Sequence, residues 1–282
     1  MAEISAAVVA KLREMTNAGM MDCKRALTEA SGDVSRAVDI LRKKGAATAV
    51  LKGGRQAREG LIAQHIAPDG RLGVLVEVNC QTDFVARNEM FKSFADDVAR
   101  RLAGSPTADF EAERVELVAK IGENIQVPRH VRMEVTGSGM VAAYIHTGAK
   151  VGVLVEVGAG KEGTVGQDQF KQLVKDITLQ IAAGNPTAIS RDQVPAAVIA
   201  KEREIAAQSD RLKGKPPQAI GKIVEGMLEK FYQTCCLVDQ GFVKRNSEIS
   251  VKEHIALVAG ALGDEITIRR FARFQVGELQ AA

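Results

Sequence analysis

The most enzyme-like stretch of the sequence is the glycine-rich run Gly158-Ala159-Gly160-Lys161-Glu162-Gly163. It follows an apolar run that predicts a strand and precedes a segment that predicts a helix. Glycine-rich turns bind the phosphates of a dinucleotide in this setting. A dinucleotide fold also needs a second parallel strand after the helix, however, and here Gly184-Asn185-Pro186 and a polar segment follow the helix. A dinucleotide-dependent cytosolic enzyme is therefore an alternative and not the first hypothesis.

Other patterns typical of catalysis are missing from the sequence. The phosphate-binding loop Gly-x-x-x-x-Gly-Lys-Ser/Thr does not occur, and no Ser, His and Asp set carries a nucleophile signature. The four cysteines form no Cys-x-x-Cys motif, and the four histidines fall into no ligand spacing. These residues are Cys23, Cys80, Cys235, Cys236, His65, His130, His146 and His254. We therefore expect no catalytic residue, no cofactor and no metal site.

The composition is that of an ordinary globular protein. Of 282 residues, 46% are hydrophobic and 26% are charged, which is enough to build a sizeable core. The formal net charge of +3 is too small to indicate nucleic-acid binding. No apolar stretch is long enough for a membrane span, and the N-terminus lacks the pattern of a signal peptide. We expect a cytoplasmic protein without direct nucleic-acid or membrane contacts.

An aromatic residue follows a predicted strand at an unusual place. The run Gly73–Val78 is rich in valine and leucine and predicts a buried strand, and Asn79-Cys80-Gln81-Thr82-Asp83-Phe84-Val85 comes directly after it. The polar residues of this second stretch predict a turn, with Phe84 near its tip. Taken alone, Phe84 is either the first core residue of the next helix or an aromatic side chain for a partner.

An internal duplication favours the second interpretation. Residues 60–78 match residues 139–157 at a constant offset of 79 positions, and the sequence of Gly73–Val78 recurs unchanged. Only the loop chemistry differs between the copies, since Thr82-Asp83-Phe84 in the first becomes Lys161-Glu162-Gly163 in the second. A packing role should recur in both copies. Phe84 is therefore expected to serve a partner.

The second copy carries an insertion. Ile121-Gly122-Glu123-Asn124-Ile125 resembles Leu262-Gly263-Asp264-Glu265-Ile266 at the larger offset of 141, so extra residues lie between Ala182 and Leu262. Within this insertion, apolar residues recur at helical spacing on both sides of Pro216-Pro217. They are Val198, Ile205 and Leu212, then Ile220, Val224, Met227 and Phe231. This pattern predicts an antiparallel coiled-coil hairpin over about 195–233.

The N-terminal residues 1–45 predict three short helices. Ile4, Val8 and Leu12 share one helical face, Asp33 occupies an N-cap position, and Gly45 is expected to end the third helix. The predicted class is α+β with antiparallel sheets. The expected units are a helical module (1–45), a linker (46–59), core subdomain N (60–138), core subdomain C with its insertion (139–276) and a C-terminal tail (277–282).

Three motifs together resemble the bacterial elongation factor Ts family. They are Met20-Met21-Asp22-Cys23-Lys24, the stretch from Asn79 to Val85, and Lys120-Ile121-Gly122-Glu123-Asn124-Ile125. The resemblance covers nearly the whole chain, and the middle motif is highly specific. The order of a small module similar to ubiquitin-associated (UBA) domains, a duplicated core and a coiled-coil insertion is also similar to that family.

The resemblance implies a guanine-nucleotide exchange factor for the GTPase elongation factor Tu. Its exchange loop would consist of Thr82, Asp83, Phe84 and Val85 and would enter Tu near the bound nucleotide and magnesium. Phe84 would be the wedge and Asp83 an anchor. Motif matching implies further contacts with Tu at Met20, Met21, Lys24, Lys52, Ile121, Gly122, His146, Phe242 and Val243. An adaptor built on the UBA-like module is another alternative. The sequence also leaves open a homodimer formed through the core or the coiled-coil arm.

Overall fold

The computed structural model describes residues 4–16 and 18–278. Over this part of the chain, the polypeptide forms α-helices and two antiparallel three-stranded sheets. The fold class is therefore α+β, as the sequence predicts. Four short 3₁₀ turns also occur, at Arg191–Gln193, Asp210–Leu212, Leu237–Asp239 and Val243–Arg245.

Three helices form the N-terminal module. They are α1 (Ala6–Thr16), α2 (Met20–Glu29) and α3 (Val34–Gly53). Asp33 caps α3, because its carboxylate accepts a hydrogen bond of 3.1 Å from the Arg36 backbone N–H. Leu12 and Leu27 are fully buried in a small core between the three helices. Three helices were predicted, and three are present.

The predicted end of the third helix at Gly45 is wrong. Helix α3 continues to Gly53, so the first part of the expected linker is helical. Gly45 is buried against α6 (Glu111–Ile121), and a Cβ atom at this position would lie 3.0 Å from the Ala119 Cβ atom. The glycine therefore allows two helices to approach closely, and it does not terminate one.

The first copy forms a sheet covered by helices. Strands β1 (Glu59–Ile66), β2 (Leu72–Cys80) and β3 (Gln126–Glu134) pair in that order. Helices α4 (Asp83–Ala86) and α5 (Glu89–Gly104) follow β2. Strand β2 lies in the centre and is buried on both faces, which explains why its sequence shows no alternation of polar and apolar residues.

The second copy repeats this arrangement. Strands β4 (Gly139–Ile145), β5 (Val151–Ala159) and β6 (Ile266–Gln275) form its sheet. Helices α7 (Glu162–Val165), α8 (Asp168–Gly184) and α11 (Val251–Leu262) complete it. Strand β5 and helices α7 and α8 begin 79 positions after β2, α4 and α5, so the structure follows the duplication seen in the sequence.

The two sheets pack against each other, with helices on their outer faces. A Cβ atom at Gly152 would lie 2.4 Å from the Ile62 Cγ2 atom, so a glycine is needed at this contact between the sheets. The apolar side chains buried between the sheets are Ile62, Leu75, Met133, Val135, Val141 and Leu154. The outer helices α5 and α8 enclose a separate core on each side.

The insertion contains two helices, α9 (Ala196–Ala207) and α10 (Pro217–Cys235). Arg203 of α9 forms an ion pair of 3.0 Å with Glu225 of α10. Nearer the body of the protein, Ile199 lies in one apolar cluster with Phe231. These contacts show that the two helices run antiparallel, as predicted. The assignment of the pair as a coiled coil stays a prediction.

Among the described helices, none is long and apolar enough to cross a membrane.

Candidate partner-binding site

Phe84 is exposed on the four-residue helix α4. Its side chain is 79% exposed, whereas the neighbouring Ala86 is buried and Val85 packs on the core of the first copy. Val85 and Ala86 therefore take the core positions at the start of the helical region. The hypothesis that Phe84 is the first core residue is wrong, and the aromatic ring projects into solvent in the free protein.

Glu123 holds the turn that precedes α4. Its Oε2 atom accepts hydrogen bonds of 3.0 Å from the backbone N–H groups of both Gln81 and Thr82. Its Oε1 atom accepts a bond of 2.6 Å from the Thr82 hydroxyl. The same hydroxyl oxygen accepts from the Val85 N–H at 3.4 Å and so caps α4. The base of the loop 82–85 is therefore held in place within the chain itself.

Asp83 makes a surface contact in the free protein. Its carboxylate accepts a hydrogen bond of 2.8 Å from Arg87; the Arg87 side chain is exposed and that of Asp83 is half-buried. Ion pairs of this kind contribute between about 0 and 1 kcal/mol to stability. The loop is fastened to the core through Thr82 and Glu123, while Asp83 keeps its carboxylate at the surface.

The equivalent turn in the second copy is also held by a carboxylate, but it carries no aromatic residue. Asp264 accepts bonds of 2.9 Å from the Lys161 backbone N–H and 2.6 Å from the Thr164 hydroxyl. The bond from Thr164 is the main reason that the pKa of Asp264 is lowered. Gly163 stands at the position of Phe84, with no atom within 4 Å of where its Cβ would be. The scaffold is thus duplicated, and the exposed aromatic ring is present once.

The geometry argues against a dinucleotide site at Gly158–Gly163. A Cβ atom at Gly160 would lie 2.5 Å from a carboxylate oxygen of Asp264, and one at Gly158 would lie 2.4 Å from the Arg269 side chain. These glycines make room for protein side chains. The strand pairs of this sheet are antiparallel, whereas the dinucleotide fold needs parallel strands.

Among the described residues, no group of three or more His, Cys, Asp or Glu could hold a metal ion.

Three of the expected contact residues, Lys52, Ile121 and Gly122, lie close to the base of the loop 82–85. The Lys52 ammonium donates a hydrogen bond to the Gly122 carbonyl at the end of α6. Gly122 has a φ of 85°, a conformation that favours glycine. Ile121 is partly buried against the core of the first copy. These three residues therefore come together as a support beside Glu123.

Other expected contact residues lie on separate elements. Met20 and Met21 on α2 are 51% and 64% exposed, and Lys24 on the same helix is also exposed. His146 follows β4 and is exposed, with its Nδ1 atom 3.0 Å from the Tyr144 hydroxyl. All four side chains are accessible, so their part in binding a partner stays a prediction.

The structure corrects the expectation for Phe242. This side chain is only 1% exposed, lies in the core of the second copy and stacks on the His254 ring at 4.1 Å. It has no surface to offer a partner in this conformation. The adjacent Val243 is 42% exposed and is the accessible residue of the pair. Phe242 is therefore a packing residue.

Cys80 closes the loop from the strand side. Its thiol is buried and donates a hydrogen bond of 3.1 Å to the Thr82 carbonyl. Burial raises the pKa of Cys80 from 9.0 to about 12. Thiols react as thiolates, so the native cysteine is held in its inert form at neutral pH.

We predict that Cys80 in the native protein reacts with a disulfide reagent at pH 8.5 at least about a hundredfold more slowly than in the unfolded chain. Because the folded pKa is higher, the stability that this thiol contributes is present below pH 9 and is lost as the pH rises toward about 12. Mass spectrometry of the labelled peptides measures the rate. Rapid labelling of Cys80 without unfolding would contradict the closed turn.

The family model for elongation factor TS matches residues 81–278, which is more than half of the chain. The chain belongs to the elongation factor Ts family. Members of this family are elongation factors of protein biosynthesis, so the resemblance found in the sequence is confirmed. The matched span begins just before the loop 82–85 and includes the whole second copy.

Curated elongation factor Ts proteins match over nearly their full length. The protein of Nitratidesulfovibrio vulgaris (strain DP4) is 41% identical, over 99% of this chain and 98% of its own. That of Symbiobacterium thermophilum is 45% identical, over 99% of this chain and 93% of its own. That of Nostoc punctiforme is 43% identical, over 99% of this chain and 94% of its own. The match therefore includes the N-terminal module.

The residues that hold the turn before α4 could not be identified from the sequence. Glu123 binds residues 41 and 42 positions away, and the Asn124 backbone N–H donates to the Gln81 side chain at 3.0 Å. Such distant pairs leave no local pattern. One indication was available, since the offset of 141 aligns Glu123 with Asp264, an acidic residue after the last helix of each copy.

Proposed function

We propose that this chain is the guanine-nucleotide exchange factor of elongation factor Tu. It binds Tu in its GDP form and promotes release of GDP and entry of GTP. The observation that carries the proposal is the 79% exposure of Phe84 on a turn that the core holds in place. Membership of the elongation factor Ts family supports the choice of partner.

The exposed ring supplies the driving force for exchange. Phe84 inserts between helices of the nucleotide domain of Tu, near the magnesium ion. An aromatic side chain buries about 150–250 Å², which at about 25 cal/mol per Å² is worth roughly 4–6 kcal/mol. Because the turn is already ordered, little of this energy is spent on fixing the loop. The gain offsets contacts that Tu loses to GDP.

Exchange then follows from linkage between two ligands of Tu. If the factor weakens the binding of GDP, GDP must weaken the binding of the factor by the same amount. Entry of GTP therefore promotes departure of the factor. The chain needs no covalent chemistry, catalytic residue or cofactor for this role.

The remaining contact residues divide between docking and support. Met20, Met21 and Lys24 dock the helical module on Tu, and methionine suits such a surface because its side chain adapts to a partner. Contacts near the loop and on the second copy come from Lys52, Ile121, Gly122, His146 and Val243. Asp83 and Thr82 meet Tu together with Phe84 and Val85.

The test is release of fluorescent GDP from purified Tu as the concentration of the chain increases. We expect the release rate to rise and then saturate. Titration of labelled GDP and of NAD into the chain alone addresses the enzyme hypothesis, and we expect neither to bind. An unchanged release rate would reject the exchange role, and it would leave an adaptor function as the next hypothesis.

Docking and exchange should separate in a Met20→Ala/Met21→Ala variant. Both side chains are exposed, so we expect the concentration for half-maximal exchange to rise about tenfold, as for loss of an interface anchor. The maximal rate should stay within about twofold, because Phe84 is untouched. The rate of GDP release against factor concentration gives both quantities. A collapsed maximal rate at unchanged half-saturation would reverse these roles.

A further inference from the structure

The base of the exchange loop depends on one carboxylate. We propose that Glu123 is a positioning residue for nucleotide exchange, because it fixes the direction in which Phe84 projects. This inference rests on the proposed exchange function. Glu123 itself lies in the turn after α6 and has no need to touch Tu in order to act.

The bonds of Glu123 satisfy three donors of the turn at once. The two backbone N–H groups share Oε2 at 3.0 Å each, and the Thr82 hydroxyl takes Oε1 at 2.6 Å. Hydrogen bonds to a carboxylate are roughly twice as strong as those between neutral groups. The backbone of residues 81 and 82 is therefore fixed in both position and orientation.

The effect reaches Phe84 through the Thr82 hydroxyl. Because this group donates its proton to Glu123, its oxygen presents a lone pair to the Val85 N–H. Val85 and Ala86 then pack on the core. Phe84 lies between a hydrogen-bonded N-cap and two residues that pack on the core. The direction in which its ring projects from the surface is therefore restricted.

The same turn is tied to the helical module. On one side of Glu123, the Gly122 carbonyl accepts from Lys52 near the end of α3. On the other side, the Asn124 side chain donates to the Arg55 carbonyl at 2.7 Å. One short turn therefore supports both the helix that leads from the docking module and the exchange loop. This gives Glu123 a fixed base from which to position Thr82.

The second copy provides a matched control. Asp264 binds the equivalent turn through the Lys161 N–H and the Thr164 hydroxyl, but that turn carries Gly163 in place of an aromatic residue. Removing the charge from Asp264 should loosen its turn by a similar amount. It should not alter exchange, because no wedge is positioned there.

The experiment compares Glu123→Gln with Asp264→Asn. The glutamine keeps the volume and one acceptor oxygen, but its NH₂ group cannot accept the proton of the Thr82 hydroxyl, so the bond of 2.6 Å that orients this hydroxyl is lost. We expect the maximal rate of GDP release at saturating factor to fall about tenfold, the equivalent of one lost charge-assisted hydrogen bond. Half-saturation should move less than about twofold, and Asp264→Asn should exchange normally.

A second measurement needs no Tu. Hydrogen–deuterium exchange of the free Glu123→Gln protein should show faster uptake confined to the peptide of residues 81–88. Unchanged uptake there, a wild-type rate for Glu123→Gln, or an equal loss of rate in both variants would overturn the positioning role. If the wild-type protein does not accelerate GDP release from Tu, the proposed function is rejected. The deuterium-uptake measurement then still decides whether Glu123 holds the loop.

Discussion

Replacing Phe84 by alanine should lower the maximal rate of GDP release from Tu by about 30-fold or more, the loss typical of an interface hot spot. The free protein should keep its stability within about 0.5 kcal/mol, because a 79% exposed side chain makes few contacts with its own core. Denaturant unfolding of the free variant measures the second quantity. A marked loss of stability would return Phe84 to the core.

Gly163→Phe is the control for this prediction. The position lies on α7 at the equivalent point of the second copy, and its Cβ position has open space around it, so a side chain can be added there. We expect this variant to exchange at the wild-type rate. A rate altered as strongly as in Phe84→Ala would show that the second turn also meets Tu.

Replacing Phe242 by alanine should lower the stability of the protein, in contrast to Phe84→Ala. We expect the free energy of unfolding to fall by about 3–5 kcal/mol, because a fully buried ring leaves a cavity in the core of the second copy. The lost stacking on His254 adds to this cost. Equilibrium unfolding in urea measures the change.

Val243→Ala is the matched control, since the neighbouring side chain is 42% exposed and should cost about 1 kcal/mol or less. Exchange per folded molecule should stay close to normal in Phe242→Ala. A stable Phe242→Ala protein with weak binding of Tu would instead restore Phe242 as a contact residue.

The duplicated core could be predicted from the sequence because it contains its own comparison. The offset of 79 aligns Gly73–Val78 with Gly152–Val157 and Phe84 with Gly163, and the structure has β2 and β5 at that offset, each followed by a four-residue helix where the sequence predicts a turn. The contrast between Phe84 and Gly163 predicted an exposed aromatic residue, which the structure shows. A residue needed for packing recurs in both copies, whereas a residue kept for a partner need not.

The errors arose where that comparison was missing. Gly45 was expected to end a helix because glycine is common at that position, but a tertiary contact with Ala119 explains it. Phe242 lies in the insertion, which has no counterpart in the first copy, so its burial could not be inferred. Glu123 acts across 41 positions of sequence, and hydrogen bonds of that range follow from the fold and not from local pattern.

Stopped-flow release of fluorescent GDP from Tu, with saturating wild-type or Phe84→Ala protein, tests most directly the claim that Phe84 drives exchange. The wild-type chain should accelerate release strongly, and the variant should still bind Tu but accelerate release far less. If wild-type protein has no effect, or if both proteins reach the same maximal rate, the role assigned to Phe84 is contradicted.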